Sequence, residues 1–466
     1  MGRNYEKAGM LYFIATLFNK GIVFLTVPIF TRILSTSDYG IVTTYNSWVS
    51  IATILLSMTL YMAIRTSFVD FKGKTKDFLN TIVTFTCILG VIVFVVTLII
   101  INIIPVSNGY IALLCVIQGF ADALIMDYTQ YLMMDYKYLK RTVYMMLPNL
   151  IAVLVSILAI LFVFEQDLYL GRIIPTSCVY FFFCITILAQ VFFKRKPCIN
   201  RKYLKYSMAI SLPLILHGAA LTILSQSDRT MITWLADASQ TGIYSLVYNF
   251  GMIATVITTT LEGIWVPWFM EHMKAESYQD INRRAIDYVH LMAYAMVALL
   301  LVGPEILKIM ASSKYWEGIM IIPPVIISSF IIFMYSLFVN VEHFYKKTVG
   351  ITINTVIAAV SNIILNLIFI PYFGYVAAAY TTLASYLICL ALHIFRSKKL
   401  NKSLFPMRLF VDSLIMIFAV SVIYYFLLDY AVVRWIAMLA FLVVVAIKER
   451  NQLTSILKGI VGKKEV

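Results

Sequence analysis

Apolar runs of helix length, separated by short polar breaks, fill almost the whole chain. A membrane-crossing helix needs about 20 apolar residues. The pattern predicts spans near 9–30, 41–64, 79–104, 110–134, 142–164, 170–193, 207–235, 242–269, 286–310, 319–340, 348–370, 374–395, 407–428 and 431–447. That is an all-α polytopic membrane protein with fourteen transmembrane helices. The runs are too long for the ~10-residue alternating strands of a β-barrel. The connections are short on both faces, so any chemistry must happen within the membrane.

One break is more informative than the others. Pro28–Asn46 (PIFTRILSTSDYGIVTTYN) lies between spans 1 and 2, and Ser227–Asn249 (SDRTMITWLADASQTGIYSLVYN) lies between spans 7 and 8. Both copies hold an Arg, a Leu, a polar gap, Gly-Ile and Tyr-Asn, with the gap running Leu34–Gly40 in one and Leu235–Gly242 in the other. Self-similarity at a fixed distance marks a repeat, here of six spans. An even number makes both copies enter from the same side, as in parallel repeats packed about an axis normal to the membrane. The expected organisation is a six-helix lobe over 1–196, a second over 197–400, and two extra helices with a basic tail over 401–466.

Composition supports lipid as the solvent. Hydrophobic residues make up 61% of the chain and charged residues 13%, with a mean hydropathy of +0.88; soluble domains carry roughly 25% charged residues. The net charge of +14 does not require nucleic acid, because cytoplasmic loops of membrane proteins accumulate Lys and Arg. With both termini inside, 30 of the 37 basic residues fall in inside segments, six outside, and Lys20 within a span. The densest inside run is Lys194–Lys205. Nothing near the N-terminus has a cleavage pattern, so the first apolar run is expected to remain as a span. The six Cys are scattered without ligand spacing and read as small hydrophobes.

The Pro-x-x-x-Arg-x-Leu…Tyr-Gly pattern of 28–40, and Asp-Arg…Leu…Gly-Ile-Tyr-Ser at 228–245, resemble bacterial polysaccharide repeat-unit flippases. These are Wzx-type members of the superfamily that also holds multidrug MATE exporters and peptidoglycan lipid flippases (the MOP superfamily). The resemblance covers essentially the whole chain in length, span count and six-plus-six pseudosymmetry. It implies two six-helix lobes about a cavity that opens alternately to each side of the bacterial cytoplasmic membrane. The implied cargo is an undecaprenyl-diphosphate-linked oligosaccharide for O-antigen, capsule or a related polysaccharide. A polysaccharide polymerase and a chain-length regulator are the implied partners. No cofactor is expected, and coupling to a proton or sodium gradient is left open.

Ionisable groups within spans cost ~2.5–3.5 kcal/mol on insertion scales and usually face protein or water. Lys20, midway along span 1, is the first candidate to line a cavity. Arg32 and Arg229, matched by the repeat at the outer mouth, are candidates for phosphate or sugar contact, as is Arg65 at the inner end of span 2. Arg is favoured for a diphosphate by its fork geometry. Asp122 and Asp127 in span 4 lie roughly 140° apart around the helix and do not share a face. With Glu262 in span 8 they are the candidate coupling acids. Pro213 breaks the hydrogen-bond ladder of span 7 and is the candidate hinge beside His217. His290 reads as a hydrogen-bonded core residue, and Asn46 and Asn249 as interhelical hydrogen-bonding groups.

Two rival classes remain. A MATE-like exporter of small cations shares the expected fold but needs a dominantly acidic cavity. A membrane enzyme (polymerase, ligase or acyltransferase) needs a large outer loop or a His-rich site, and this sequence has neither, so no enzymatic activity is expected.

Overall fold

The computed structural model describes residues 21–22, 24–104, 108–193 and 195–450. The described elements are helices: α1 Phe24–Ile33, α2 Thr36–Ser57, α3 Tyr61–Asp70, α4 Thr75–Ile103, α5 Gly109–Met134, α6 Tyr138–Phe162 and α7 Leu168–Phe192. They continue as α8 Arg201–Leu235, α9 Ala238–Tyr248, α10 Phe250–Lys274, α11 Tyr278–Met310, α12 Ile322–Phe344, α13 Thr348–Leu400, α14 Arg408–Phe426 and α15 Ala431–Lys448. A 3-10 segment, Ser313–Ile321, leads into α12.

Eleven of these stretches are long and apolar enough to cross a membrane, and α8, bent by 46° between Leu212 and Leu214, makes a further one. The 53-residue α13 is two spans, not one. At Gly374 the backbone leaves the helix (φ 58°, ψ −142°). Beyond it, Thr382 Oγ1 accepts a hydrogen bond from Asn362 Nδ2 at 3.2 Å, whereas 20 residues of straight helix would separate them by about 30 Å. The chain therefore reverses there. Only glycine adopts that combination of φ and ψ without strain, and the tip is pinned because Gln240 Oε1 accepts from the Tyr375 amide at 3.0 Å. With that reversal the described residues hold thirteen spans. Most of expected span 1 lies outside the described residues.

The membrane-length requirement explains the exposed surface. On α4, Val91, Val95, Ile99 and Ile103 are exposed along with Ile92 and Val96. Against lipid such a face costs nothing, and helix association rests on packing and hydrogen bonds instead.

Two compact units divide the chain by contact: one holds the residues up to Ser245 with Ile351–Thr382, the other Leu246–Gly350 with the residues from Leu383 onward. In the first unit, Leu60, Ile64, Phe78, Ile82, Leu124 and Cys184 pack together, fully or almost fully buried. In the second, Trp265 stacks on Phe269 (ring centroids 5.4 Å apart), and Phe405 lies against both. There α14 and α15 pack on α11. Fully buried Arg434 on α15 binds Glu305 of α11 and the carbonyls of Leu427 and Leu428.

The start of α2 differs from the expectation. The polarity after Arg32 predicts a loop, with span 2 beginning at 41, yet the helix begins at Thr36. Ser35 caps it: its hydroxyl accepts from the Asp38 amide at 3.0 Å while the Asp38 carboxylate accepts from the Ser35 amide at 3.2 Å. This reciprocal box satisfies two orphan N–H groups and turns polar residues into a helix start. The far end differs too. Met58 (φ 43°) and Thr59 (φ 54°) break the helix before α3.

Candidate functional site

The two copies of the repeated motif pack directly against each other within the first unit. A Cβ at Gly40 would overlap the Ala238 carbonyl, 2.7 Å from its carbon, and would lie 2.9 Å from the Gly242 amide nitrogen. A Cβ at Gly242 would overlap the Thr36 carbonyl in the same way, 3.1 Å from its carbon. Backbone contact this close excludes any side chain, which is why both positions are glycine. Hydroxyl pairs complete the seam: Thr36 with Ser239 at 2.6 Å, Thr44 with Thr233 at 2.7 Å, and Ser245 donating to Thr43 at 3.0 Å.

One turn of sequence from that seam sits a buried carboxylate. Asp228 Oδ1 accepts from Asn366 Nδ2 at 2.7 Å, and Oδ2 accepts from Thr382 Oγ1 at 2.6 Å and from Tyr244 at 2.5 Å. Asp228 is 1% exposed; Asn362, Asn366 and Thr382 are also buried. Asn362 joins Asn366 at 3.3 Å and accepts from Ser227 at 3.3 Å. The hairpin at Gly374 is what brings Asn362, Asn366 and Thr382 to Asp228. All three contacts donate to the carboxylate, the Asn366 N–H and the Thr382 and Tyr244 hydroxyls, and so satisfy its negative charge directly. No group of three or more His, Cys, Asp or Glu poised for a metal occurs among the described residues.

The sequence-predicted residues fall in several places. Lys20 lies outside the described residues. Arg32 is exposed on α1. Arg229 is half-buried, and its guanidinium turns back on its own helix, donating to Ser225 O at 2.9 Å and Gln226 Oε1 at 3.3 Å. Arg65, on α3, donates through its guanidinium to the side-chain oxygen of Gln130, once that amide is oriented to accept.

Asp122 and Asp127 both lie on α5 and differ in burial. Asp122 is half-buried, one turn beyond Gln118, which accepts from Tyr45 at 2.9 Å and from Ser177 at 3.2 Å. Asp122 is within electrostatic reach of Tyr45 and Tyr180. Asp127 is fully buried, and neither carboxylate oxygen has a hydrogen-bond partner among the described residues. Tyr61 lies within electrostatic reach of both Arg65 and Asp127.

The bend in α8 falls at Pro213, and His217 one turn on is half-buried. The bend meets the break after α2: Thr59 Oγ1 donates to Ser211 O and Ser211 Oγ donates to Thr59 O, each at 3.2 Å. Asn46 is exposed, and Asn249 marks the junction of α9 and α10. In the second unit Glu262 is half-buried on α10, and His290 stacks near Tyr294, their ring centroids 6.0 Å apart.

Sequence reasoning missed two buried centres. Asp228 stands next to Arg229 in the motif, but its partners lie 138 and 154 residues away; the Asn362/Asn366 spacing in an apolar run was the available signal. In the second unit, fully buried Glu342 accepts from His393 Nδ1 at 2.6 Å and faces Arg396 Nε at 3.5 Å. His393 carries no local pattern that would have set it apart from the other scattered histidines.

Known proteins share this architecture. The chain is similar to lipid II flippase MurJ in an inward closed conformation, with TM-score 0.70 and 16% identity over 95% of this chain and all of that one. It is also similar to an inward-facing MATE family multidrug transporter, with TM-score 0.56 and 13% identity over 82% of this chain and 99% of that one. A Haemophilus influenzae protein of the Lsg locus is 23% identical over 394 residues, which is 80% of this chain and 94% of that protein. The family model described as polysaccharide biosynthesis protein matches residues 7–273, more than half of the sequence, and the chain belongs to that family.

Proposed function

We propose that the protein flips undecaprenyl-diphosphate-linked oligosaccharide repeat units, for O-antigen, capsule or a related polysaccharide, from the inner to the outer leaflet by alternating access. Family membership over residues 7–273 carries this reading, because that stretch holds both motif copies and Asp228. The fold shared with a lipid II flippase supports it.

A lipid diphosphate needs cations inside the protein, and buried cations are costly unless they serve such a ligand. In this reading Lys20 meets the diphosphate together with Arg32, Arg65 or Arg229. The driving proton or sodium ion is assigned to Asp228 in preference to Asp122 or Glu262, because Asp228 ties α8 to both arms of the α13 hairpin. The protein works as a transporter, not an enzyme, in a bacterial cytoplasmic membrane with both termini inside. It is organised as lobes 1–196 and 197–400 with two appended helices, and serves a polymerase and chain-length regulator.

Deleting the gene tests this. Lipid-linked repeat units should accumulate in the cytoplasmic leaflet, and surface polysaccharide should fall; unchanged export with no accumulation would overturn the proposal. Export of small organic cations is the second reading, favoured by the buried Asp127 carboxylate with no hydrogen-bond partner among the described residues. It predicts dye retention, not lipid accumulation, in the deletion strain.

A further inference from the structure

A basic cavity of about 450 Å3 lies at one end of the α4–α7 bundle. Its size falls in the ~300–1,000 Å3 range of small-molecule sites. Lys76, Lys137, Lys140 and Arg195 line it. Two of these are already neutralised: Lys137 pairs with Asp135 at 2.7 Å, and Arg195 with Asp77 at 2.9 Å. Lys76 and Lys140 have no carboxylate partner among the described residues, and Lys140 lies 5.6 Å from the ring centre of Tyr128. The cavity therefore keeps two uncompensated positive charges.

The inner wall is fixed in place. Tyr128 donates to Gln190 Oε1 at 2.8 Å, Gln190 Nε2 donates to the Tyr144 hydroxyl at 2.5 Å, and that hydroxyl shares a hydrogen bond with Thr186 at 2.8 Å. Tyr131 stacks beside Tyr128, 6.4 Å between centroids. The first turns of α4 and α6 also open at this end, and neither N-cap side chain satisfies their amides. Helix N-termini favour anions. Charge bias on inner loops explains lysines in general, but not a walled cavity with an ordered tyrosine–glutamine floor. Basic pockets between transmembrane helices on the cytoplasmic side bind lipid head groups.

We infer that this cavity binds the phosphate of an anionic phospholipid head group in the inner leaflet, at a site apart from the Asp228 centre and independent of which cargo is moved. The test uses the full chain in neutral detergent, with its melting temperature followed during titration with dioctanoyl phosphatidylglycerol, dioctanoyl phosphatidylcholine or inorganic phosphate. Phosphatidylglycerol should stabilise the protein saturably, and phosphatidylcholine should not. Each lysine near a membrane surface is worth about 5-fold in affinity, so Lys76→Gln with Lys140→Gln should weaken the apparent affinity by roughly 25-fold. Lys76→Arg with Lys140→Arg should restore it, and Lys346→Gln with Lys347→Gln, elsewhere on the same expected face, should leave it unchanged.

Equal stabilisation by phosphatidylcholine, or equal loss in the 346/347 pair, would overturn the inference and leave only general surface charge. Saturation by inorganic phosphate at the same concentrations as phosphatidylglycerol would overturn the lipid assignment. A double Gln variant that melts normally without lipid yet binds phosphatidylglycerol with wild-type affinity would also refute the site.

Discussion

Replacing Gly40 by Ala adds a single methyl group at the tightest point of the seam between the motif copies. That methyl carbon would stand 2.7 Å from the Ala238 carbonyl carbon, with the oxygen nearer still. Normal carbon–carbon separation is about 3.5–4.0 Å, so the two backbones must part by roughly 1 Å. The seam bonds at 2.6, 2.7 and 3.0 Å would then exceed the ~3.0 Å limit for hydroxyl pairs. At about 0.6–1.7 kcal/mol each in a membrane protein, losing three costs about 2–5 kcal/mol. That amounts to a roughly 30- to 4,000-fold shift away from the closed seam.

The readout is Ser245→Cys, a position 2% exposed in the seam, in a background lacking the six native cysteines. The Cys itself gives up the Ser245–Thr43 bond, so Gly40→Ala breaks the remaining two hydroxyl pairs, about 1–3 kcal/mol. Labelling by a membrane-impermeant maleimide should be slow with Gly40 present and roughly 5- to 150-fold faster in the Gly40→Ala variant. Gly263→Ala, where nothing lies within 4 Å of an added Cβ, is the silent control. If Gly40→Ala labels at the parent rate, the close backbone contact at Gly40 does not hold the seam shut.

Asp228→Asn should lower the melting temperature by removing the charge that holds Asn366, Thr382 and Tyr244; at about 1.5–3 kcal/mol per charged hydrogen bond the loss is several kcal/mol, and ion dependence of transport should vanish with it. Arg434→Met should leave Glu305 without its ion-pair partner, costing about 3–5 kcal/mol, seen as early melting that the double change with Glu305→Gln partly reverses. Thr59→Val removes the hydroxyl arm of the Thr59–Ser211 clasp, and should cost about 1–3 kcal/mol in thermal unfolding while changing the transport rate more than Thr66→Val at an exposed position of α3.

How much of this was legible in the sequence follows from the range of each interaction. Spans were legible because a bilayer demands a length and a composition of every crossing segment. The reversal at Gly374 fell in the right place because Pro371 and Gly374 interrupt an otherwise continuous apolar run. The start of α2 was harder, because Ser35 and Asp38 have the polarity of a loop and also the spacing of a capping box. Asp228 was hidden because a carboxylate's worth depends on what surrounds it, and its surroundings come from the far side of the α13 hairpin. The intrahelical contacts of Arg229 were hidden too, because no pattern in the repeat reveals that its own helix supplies acceptors.

The central claim is that this chain moves a lipid-linked saccharide across a bilayer. The most direct measurement reconstitutes the full chain in vesicles with an undecaprenyl-diphosphate oligosaccharide confined to the inner leaflet, and follows lectin access from outside. Access should rise with time in wild-type vesicles and stay at the protein-free level with Asp228→Asn. No rise above protein-free vesicles, while the same vesicles transport a small organic cation, would contradict the account.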